Sequence, residues 1–326
     1  MRAVRVTELG GPPAVQVVDI DEPHASGAGD VVVEVHAAGV AFPDALLTRG
    51  LYQYRPELPF TLGAELAGVV RSAPEGASVR PGDRVVGLTM LGGAMAETAV
   101  LGVDRVFPLP DNISFEAGAG LLFNDLTVYF ALAQRGRLAA GETVLVHGAA
   151  GGIGTSTVRL APALGAGRVI AVVGSEDKAQ VARAAGADDV VPADGFKDAV
   201  AELTGGAGVD IVMDPVGGDR FTDSLRSLAP AGRLLVVGFT GGEIPTVKVN
   251  RLLLNNIDVV GVGWGAWVLT HPTALGDQWR GLAALLESGR LAAPRPQVYP
   301  LSQAAEAVAS LENRTARGKV VLRVRD

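Results

Sequence analysis

The chain has 326 residues, 48% hydrophobic and 19% charged, with a formal net charge of −7, which suits a globular protein with more than one buried core. That acidic balance, with Lys and Arg scattered along the chain, argues against nucleic acid or an anionic membrane held through a broad basic surface. The absence of cysteine excludes disulfides, iron–sulfur clusters, thiolate catalysis and Cys-ligated zinc, and fits a cytoplasmic protein.

The N-terminus, MRAVRVTEL, alternates like a strand and lacks a signal-peptide apolar block. No run reaches the ~18 consecutive apolar residues of a membrane span. Short strands are predicted at residues 2–9, 15–20, 31–37, 66–72, 84–88, 94–100 and 105–107, punctuated by Gly and Pro. That spacing points to a compact β-barrel-like domain. The connection across residues 39–65 is long for such a domain, and connections of that kind are often functional.

Helical period takes over at residues 115–123, with Ser114 as N-cap, and at 125–134. Strand–helix alternation then begins. Strands are predicted at 143–147, 168–173, 189–191, 210–213, 233–238 and 257–262, and helices at 152–164, 176–185, 196–203, 220–228 and 251–254. Short Val/Ile-rich strands with crossover helices make a doubly wound parallel sheet. Pro162 falls inside the first of these helices, where a kink or strain is expected. A helix over 272–288, a helix over 303–311 capped by Ser302, and a strand over 319–324 complete the pattern. This tail is expected to return to the N-terminal domain.

The first βα unit carries the strongest signal. An apolar strand runs into Gly148-Ala-Ala-Gly151-Gly152-Ile153-Gly154 and then a helix. Glycines let the backbone approach a pyrophosphate, and the helix N-terminus offers free N–H groups and the positive end of a dipole. The spacing is G-x-x-G-x-x-G, a variant of the usual dinucleotide fingerprint.

Seven segments together carry a family resemblance: FPDALLTRGLYQ (42–53), LPFTLGAELAGVV (58–70), GDRVVG (82–87), HGAAGGIG (147–154), KAQVARAAGADDVV (178–191), DPVGG (214–218) and NRTARGKVVL (313–322). The chain resembles the medium-chain dehydrogenase/reductase superfamily, on its zinc-independent, NADPH:quinone-oxidoreductase-like (zeta-crystallin-like) branch. The resemblance implies an α/β protein with a GroES-like β-rich catalytic domain at residues 1–123 and a Rossmann doubly wound parallel sheet at 124–265. Residues 266–326 would rejoin the catalytic domain. It also implies a homodimer, an NADPH cofactor and a small-molecule conjugated acceptor, with no nucleic-acid or membrane partner. Zinc-dependent relatives carry Cys where this chain has Ala41 and His where it has Ala64. No metal site is therefore expected, and the four histidines show no paired spacing.

Residue by residue, the resemblance places Ser175 and Lys178 where the family binds a 2′-phosphate, with Val173 at the position of an NAD-selecting acid. Lys178 is also readable as a solvated residue on a first helical turn. Thr127, Gly238, Phe239, Asn250 and Arg314 match family positions near the cofactor. The alternatives are a core threonine, an ordinary N-cap asparagine and a surface arginine. Tyr52 is the candidate catalytic residue, a hydroxyl able to bond a substrate carbonyl, or else a packing aromatic on a pocket wall. Asp44 reads as an orienting or capping residue and His147 as positional. The implied activity is hydride transfer from NADPH to a quinone or other conjugated carbonyl. An enoyl-thioester or alkenal reductase, and a non-catalytic, crystallin-like NADPH-binding protein, are the alternatives.

Overall fold

A computed structural model describes residues 1–90 and 92–325. The chain divides into two compact units. The first comprises Met1–Asn124, Leu275–Ala283 and the segment from Ala293 onward, and the second Asp125–Ala274 and Ala284–Ala292.

The first unit begins with strands β1 (Arg2–Val6), β2 (Val15–Asp19) and β3 (Asp30–Val40), helix α1 (Phe42–Thr48), and strands β4 (Phe60–Thr61), β5 (Glu65–Ser72), β6 (Arg84–Leu88), β7 (Thr98–Gly102) and β8 (Val106–Pro108), then helix α2 (Phe115–Gly118). Along β3, Val31, Val33 and Val35 alternate into a core they share with Val4, Val6, Leu66, Val85 and Leu101, following the period of two of a strand, while Val32 and the strand's last four residues are buried as well. The strand expected at 94–100 starts later, at Thr98, because the preceding backbone pairs with β1 instead. Val4 donates its N–H to Met95 O at 2.8 Å, and Ala96 bridges Ala3. Ser114 caps α2 as expected, its Oγ accepting the Ala117 N–H at 3.2 Å. The two helices expected over 115–134 become a run of short pieces. Wide π turns at Leu121–Asp125 and Phe130–Arg135 flank α3 (Leu126–Tyr129), a feature periodicity does not reveal.

The second unit continues with β9 (Thr143–Val146), α4 (Gly152–Ala163), β10 (Arg168–Val173), α5 (Glu176–Ala185), β11 (Asp189–Pro192), α6 (Phe196–Leu203), β12 (Val209–Asp214), α7 (Phe221–Arg226), β13 (Leu228–Val236), α8 (Asn250–Asn255), β14 (Asp258–Gly261) and α9 (Trp264–Thr270). Its six strands run in the order β11-β10-β9-β12-β13-β14, all parallel. Val144, Leu145 and Val146 are fully buried, as a strand covered on both faces demands. The chain winds one way from β9 to β11 and the other way from β12 to β14. The turn after β9 therefore lies at the topological switch point, where such sheets bind ligands. Pro162 does not break α4. It is the penultimate helical residue and is exposed, so it forgoes only its own bond to the carbonyl four residues back, and the helix ends one residue later; Arg290 donates to the terminal carbonyl, Ala163 O, at 2.7 Å.

Beyond α9 follow α10 (Ala274–Glu287), β15 (Gln297–Pro300), α11 (Ala304–Glu312) and β16 (Val320–Arg323). Antiparallel to β3, β16 extends the larger sheet of the first unit to β15-β16-β3-β5-β6-β8, with β7 also paired to β3, while β2-β1-β4 forms a separate three-stranded sheet. The expected Ser302 cap does not form. Leu301–Gln303 is a 3₁₀ turn, and Gln303 takes the N-cap position without a side-chain bond. Neither α9 nor β15 was anticipated. The helix has no polar cap, and β15 is four residues ending in proline at a sheet edge. No helix among the described residues is long and apolar enough to cross a membrane.

Candidate active-site residues

In the second unit, the glycine turn is shaped for close approach by a ligand. Gly148 sits at φ +59, and its carbonyl accepts the Gly151 N–H at 2.9 Å. A Cβ on Gly154 would lie 2.2 Å from Gly148 O and 2.5 Å from Ala149 Cα, so no other residue fits there. Gly151 is the N-cap of α4, and no side chain caps that terminus. The first N–H groups of the helix, on Gly152, Ile153 and Gly154, thus have no partner within the helix.

The neighbouring loops leave the same carboxyl edge of the sheet. At the end of β10, Val173 is buried, while Ser175 is exposed at the N-cap of α5 without a side-chain cap bond. Lys178 stands half-buried one turn on. Glu176, on the first turn of α5 beside Asp177, is paired along the helix with Arg183 at 2.7 Å. After β12, buried Asp214 accepts the N–H groups of Val216 and Gly217, each at 2.9 Å, and burial raises its pKa. The Gly238–Phe239 segment after β13 is laced to that turn through Thr240 N–H to Pro215 O at 3.1 Å and Gly241 N–H to Val216 O at 2.8 Å.

Thr127 is buried in α3. Its neighbour Asp125 binds the Ser156 hydroxyl and, at 2.6 Å, the Arg159 guanidinium of α4, fixing α3 against the cofactor-type helix. Asn250 is the first residue of α8 and is exposed, while Val249 holds the N-cap position, so the ordinary N-cap reading of Asn250 is corrected. His147 is fully buried. Its Nε2–H donates to Ser224 Oγ at 2.8 Å, Ser224 donates onward to Arg220 O at 3.0 Å, and burial lowers the imidazole pKa to about 3. It is a neutral structural group, as its place in the sequence suggested.

In the first unit, α1 follows directly on β3. Pro43 lies in its first turn, and Asp44 reaches back to accept the Ala41 N–H at 2.8 Å, half of a capping box. The other Asp44 oxygen accepts Gly63 N–H at 3.2 Å. Asp44 and Tyr52 line one narrow cavity with Ala41, Ala64, Met90 and Phe123. The Tyr52 phenol is pushed above its usual pKa chiefly by burial, against a side-chain bond with Gln53 that pulls it down, and the Asp44 charge adds a smaller upward push. Behind this cavity lies a pair that sequence reasoning missed. The Glu65 carboxylate meets Lys319 Nζ at 2.5 Å, with both side chains buried. Lys319 also donates to Val40 O at 3.1 Å, and Glu65 Oε2 accepts the N–H groups of Leu122 and Phe123 at 3.0 and 2.8 Å. The available signal was a single charge inside each apolar strand run, GAELAGVV and GKVVL. Arg314 belongs to this unit and is exposed, at φ +58.

Residues 27–111 match the family described as "Alcohol dehydrogenase GroES-like domain", and residues 152–287 the family described as "Zinc-binding dehydrogenase". The chain is 37% identical to rat "Quinone oxidoreductase-like protein 2" over 98% of its own length and 91% of that protein. The chain belongs to the zinc-independent quinone oxidoreductase family of medium-chain dehydrogenases/reductases. Among solved structures, a probable oxidoreductase from Mycobacterium abscessus superposes with a TM-score of 0.90 at 44% identity, covering 99% of both chains. Escherichia coli quinone oxidoreductase, solved as its NADPH complex, superposes with a TM-score of 0.89 at 32% identity, covering 99% of this chain and all of the other. Alanine stands at two positions where zinc-dependent relatives hold ligands. Among the described residues, no three His, Asp or Glu side chains gather as a metal-binding group.

Proposed function

We propose that this protein is an NADPH-dependent reductase acting on conjugated carbonyl acceptors, quinones foremost. The observation that carries the reading is the uncapped N-terminus of α4 at the switch point, where only glycine fits at position 154. The chemistry of the residues fits the cofactor. Gly151, Gly152, Ile153 and Gly154 would hold the pyrophosphate, Ser175 and Lys178 the 2′-phosphate, and Gly238, Phe239, Asn250, Thr127 and Arg314 the remainder. The preference for a 2′-phosphate rests on an available lysine, and on Glu176 being turned toward Arg183. Bound NADPH supplies the hydride.

Tyr52 is the group we assign to the acceptor, its hydroxyl bonding the carbonyl oxygen on which charge develops. With alanine at positions 41 and 64, polarisation comes from hydroxyl and backbone donors. That suits acceptors already activated by conjugation. Fluorescence titration with NADPH and NADH, followed by product analysis with a benzoquinone, an alkenal and an enoyl thioester, tests the reading. Tight NADPH binding with quinone reduction is the expected result. Turnover confined to enoyl thioesters would reassign the acceptor, and tight binding without turnover of any acceptor would make the chain a binding protein.

A homodimer formed through the second unit is part of this proposal. Strand β14 is an open sheet edge. Val249, Leu253 and Leu254, on and beside α8, are 72%, 76% and 74% exposed, an arrangement a monomer normally avoids. Light scattering should give twice the chain mass, and Leu253→Glu should give a monomer; a wild-type monomer would remove the dimer from the proposal.

A further inference from the structure

The cavity wall that carries Tyr52 also carries a buried carboxyl to which the reaction above gives no task. Asp44 is 3% exposed, and both its oxygens already accept a backbone N–H, from Ala41 and from Gly63. A carboxylate oxygen has two lone pairs, so a site for a proton remains. Burial is the largest influence on this carboxyl and raises it to about 6. Glu65 on β5 pushes the same way, while the two N–H bonds and the Lys319 charge beside β16 pull it down. The remaining titratable neighbour is Tyr52, whose phenol feels the Asp44 charge. The cavity they share has a free volume of about 20 Å³. That is far too small for an acceptor and enough for one water.

We propose that Asp44 is a proton-relay residue acting through Tyr52, holding the proton that replaces the one Tyr52 delivers to the acceptor. The inference rests on the reductase reading above. Hydride addition to a conjugated carbonyl leaves an oxyanion on the acceptor. That anion takes the Tyr52 hydroxyl proton, so an O–H bond breaks on tyrosine and a new bond to hydrogen forms on the product. A water in the cavity gives one proton to the tyrosinate and takes one from the Asp44 carboxyl. Solvent then reprotonates Asp44. One hydride and one proton reach the acceptor, and no electrons move within the relay. The transfer from Asp44 to tyrosinate runs downhill, because a carboxyl near this range is a far stronger acid than a phenol of about 10.

The first arm of the test needs neither cofactor nor turnover. Carbon-13 NMR of the cofactor-free protein labelled at Asp carboxyls should show one carboxyl titrating near 6 that disappears in Asp44→Asn. Asp214 is also raised by burial, so the assignment rests on the variant: if the carboxyl that Asp44→Asn removes titrates below about 4.5, the proposal fails. The second arm is the pH profile of kcat with a quinone. The acid form is required, so the wild-type rate should decline as pH rises through about 6. Asp44→Asn should be slower and lose this limb, Asp44→Glu should restore it, and the KM for NADPH should stay within about twofold. A limb that persists in Asp44→Asn, or is absent from the wild type, overturns the relay. If no acceptor is reduced at all, the reductase reading fails, and the NMR titration decides the state of Asp44 by itself.

Discussion

Replacing Lys319 with methionine is the perturbation whose cost is clearest. The ammonium is 4% and the Glu65 carboxylate 1% exposed, and they meet at 2.5 Å. Methionine matches the lysine stem and keeps its packing, but leaves the carboxylate buried without its counter-charge. The backbone N–H groups of Leu122 and Phe123 still bond Glu65 Oε2, so part of its solvation survives. Breaking one side of a buried pair costs about 3–5 kcal/mol, and with those two bonds retained the lower end is expected. Adding Glu65→Gln should recover more than half of the loss. Glutamine is neutral, and its carbonyl can still accept those N–H groups. Urea unfolding of the wild type, both single variants and the double variant closes the cycle. Lys319 also lowers the Asp44 carboxyl, so Lys319→Met should move the Asp44 titration upward. A single-variant loss under about 1 kcal/mol, the range of an exposed pair, would refute this account of the pair.

Three further outcomes follow from the second unit. Gly154→Ala should lower Tm and weaken NADPH binding at least about tenfold, because a Cβ 2.2 Å from Gly148 O forces the turn open; normal binding by fluorescence would contradict the turn's role. Lys178→Ala should weaken NADPH by roughly tenfold to a hundredfold, the worth of a charge-assisted bond, and leave NADH unchanged; an equal loss for both would remove Lys178 from the 2′-phosphate. His147 has a folded pKa lowered to about 3 against about 6.5 unfolded. The unfolded state therefore binds more protons between these values, and stability is lost as pH falls below about 6.5, by up to about 1.4 kcal/mol per pH unit. The urea midpoint should fall from pH 6 to 4 in the wild type and less so in His147→Gln; equal slopes would exclude His147 as the source.

Much of the fold was legible because the strands of both units advertise themselves. The Val-rich strands of the second unit have apolar faces on both sides, and α5 and α6 occupy the residues their periodicity predicted. What escaped was set by tertiary pairing. The backbone at 94–97 follows β1 because Met95 O receives the Val4 N–H, and β15 exists only because β16 offers an edge. The glycine turn was readable from residue type alone, since glycine there answers a backbone requirement. The Asp44–Glu65–Lys319 cluster was not, because its members lie on α1, on β5 and just before β16 and meet only in the folded chain. Sequence reading treated Asp44 as an orienting or capping residue. Its bond to the Ala41 N–H fits that reading, but the cavity it shares with Tyr52 was not visible.

Steady-state oxidation of NADPH and NADH by the purified protein with a quinone tests the central claim most directly. The account predicts quinone-dependent oxidation with NADPH preferred through kcat/KM, unaffected by a metal chelator and sharply reduced in Tyr52→Phe. Preference for NADH, loss of activity to the chelator, or no oxidation of either cofactor would contradict it.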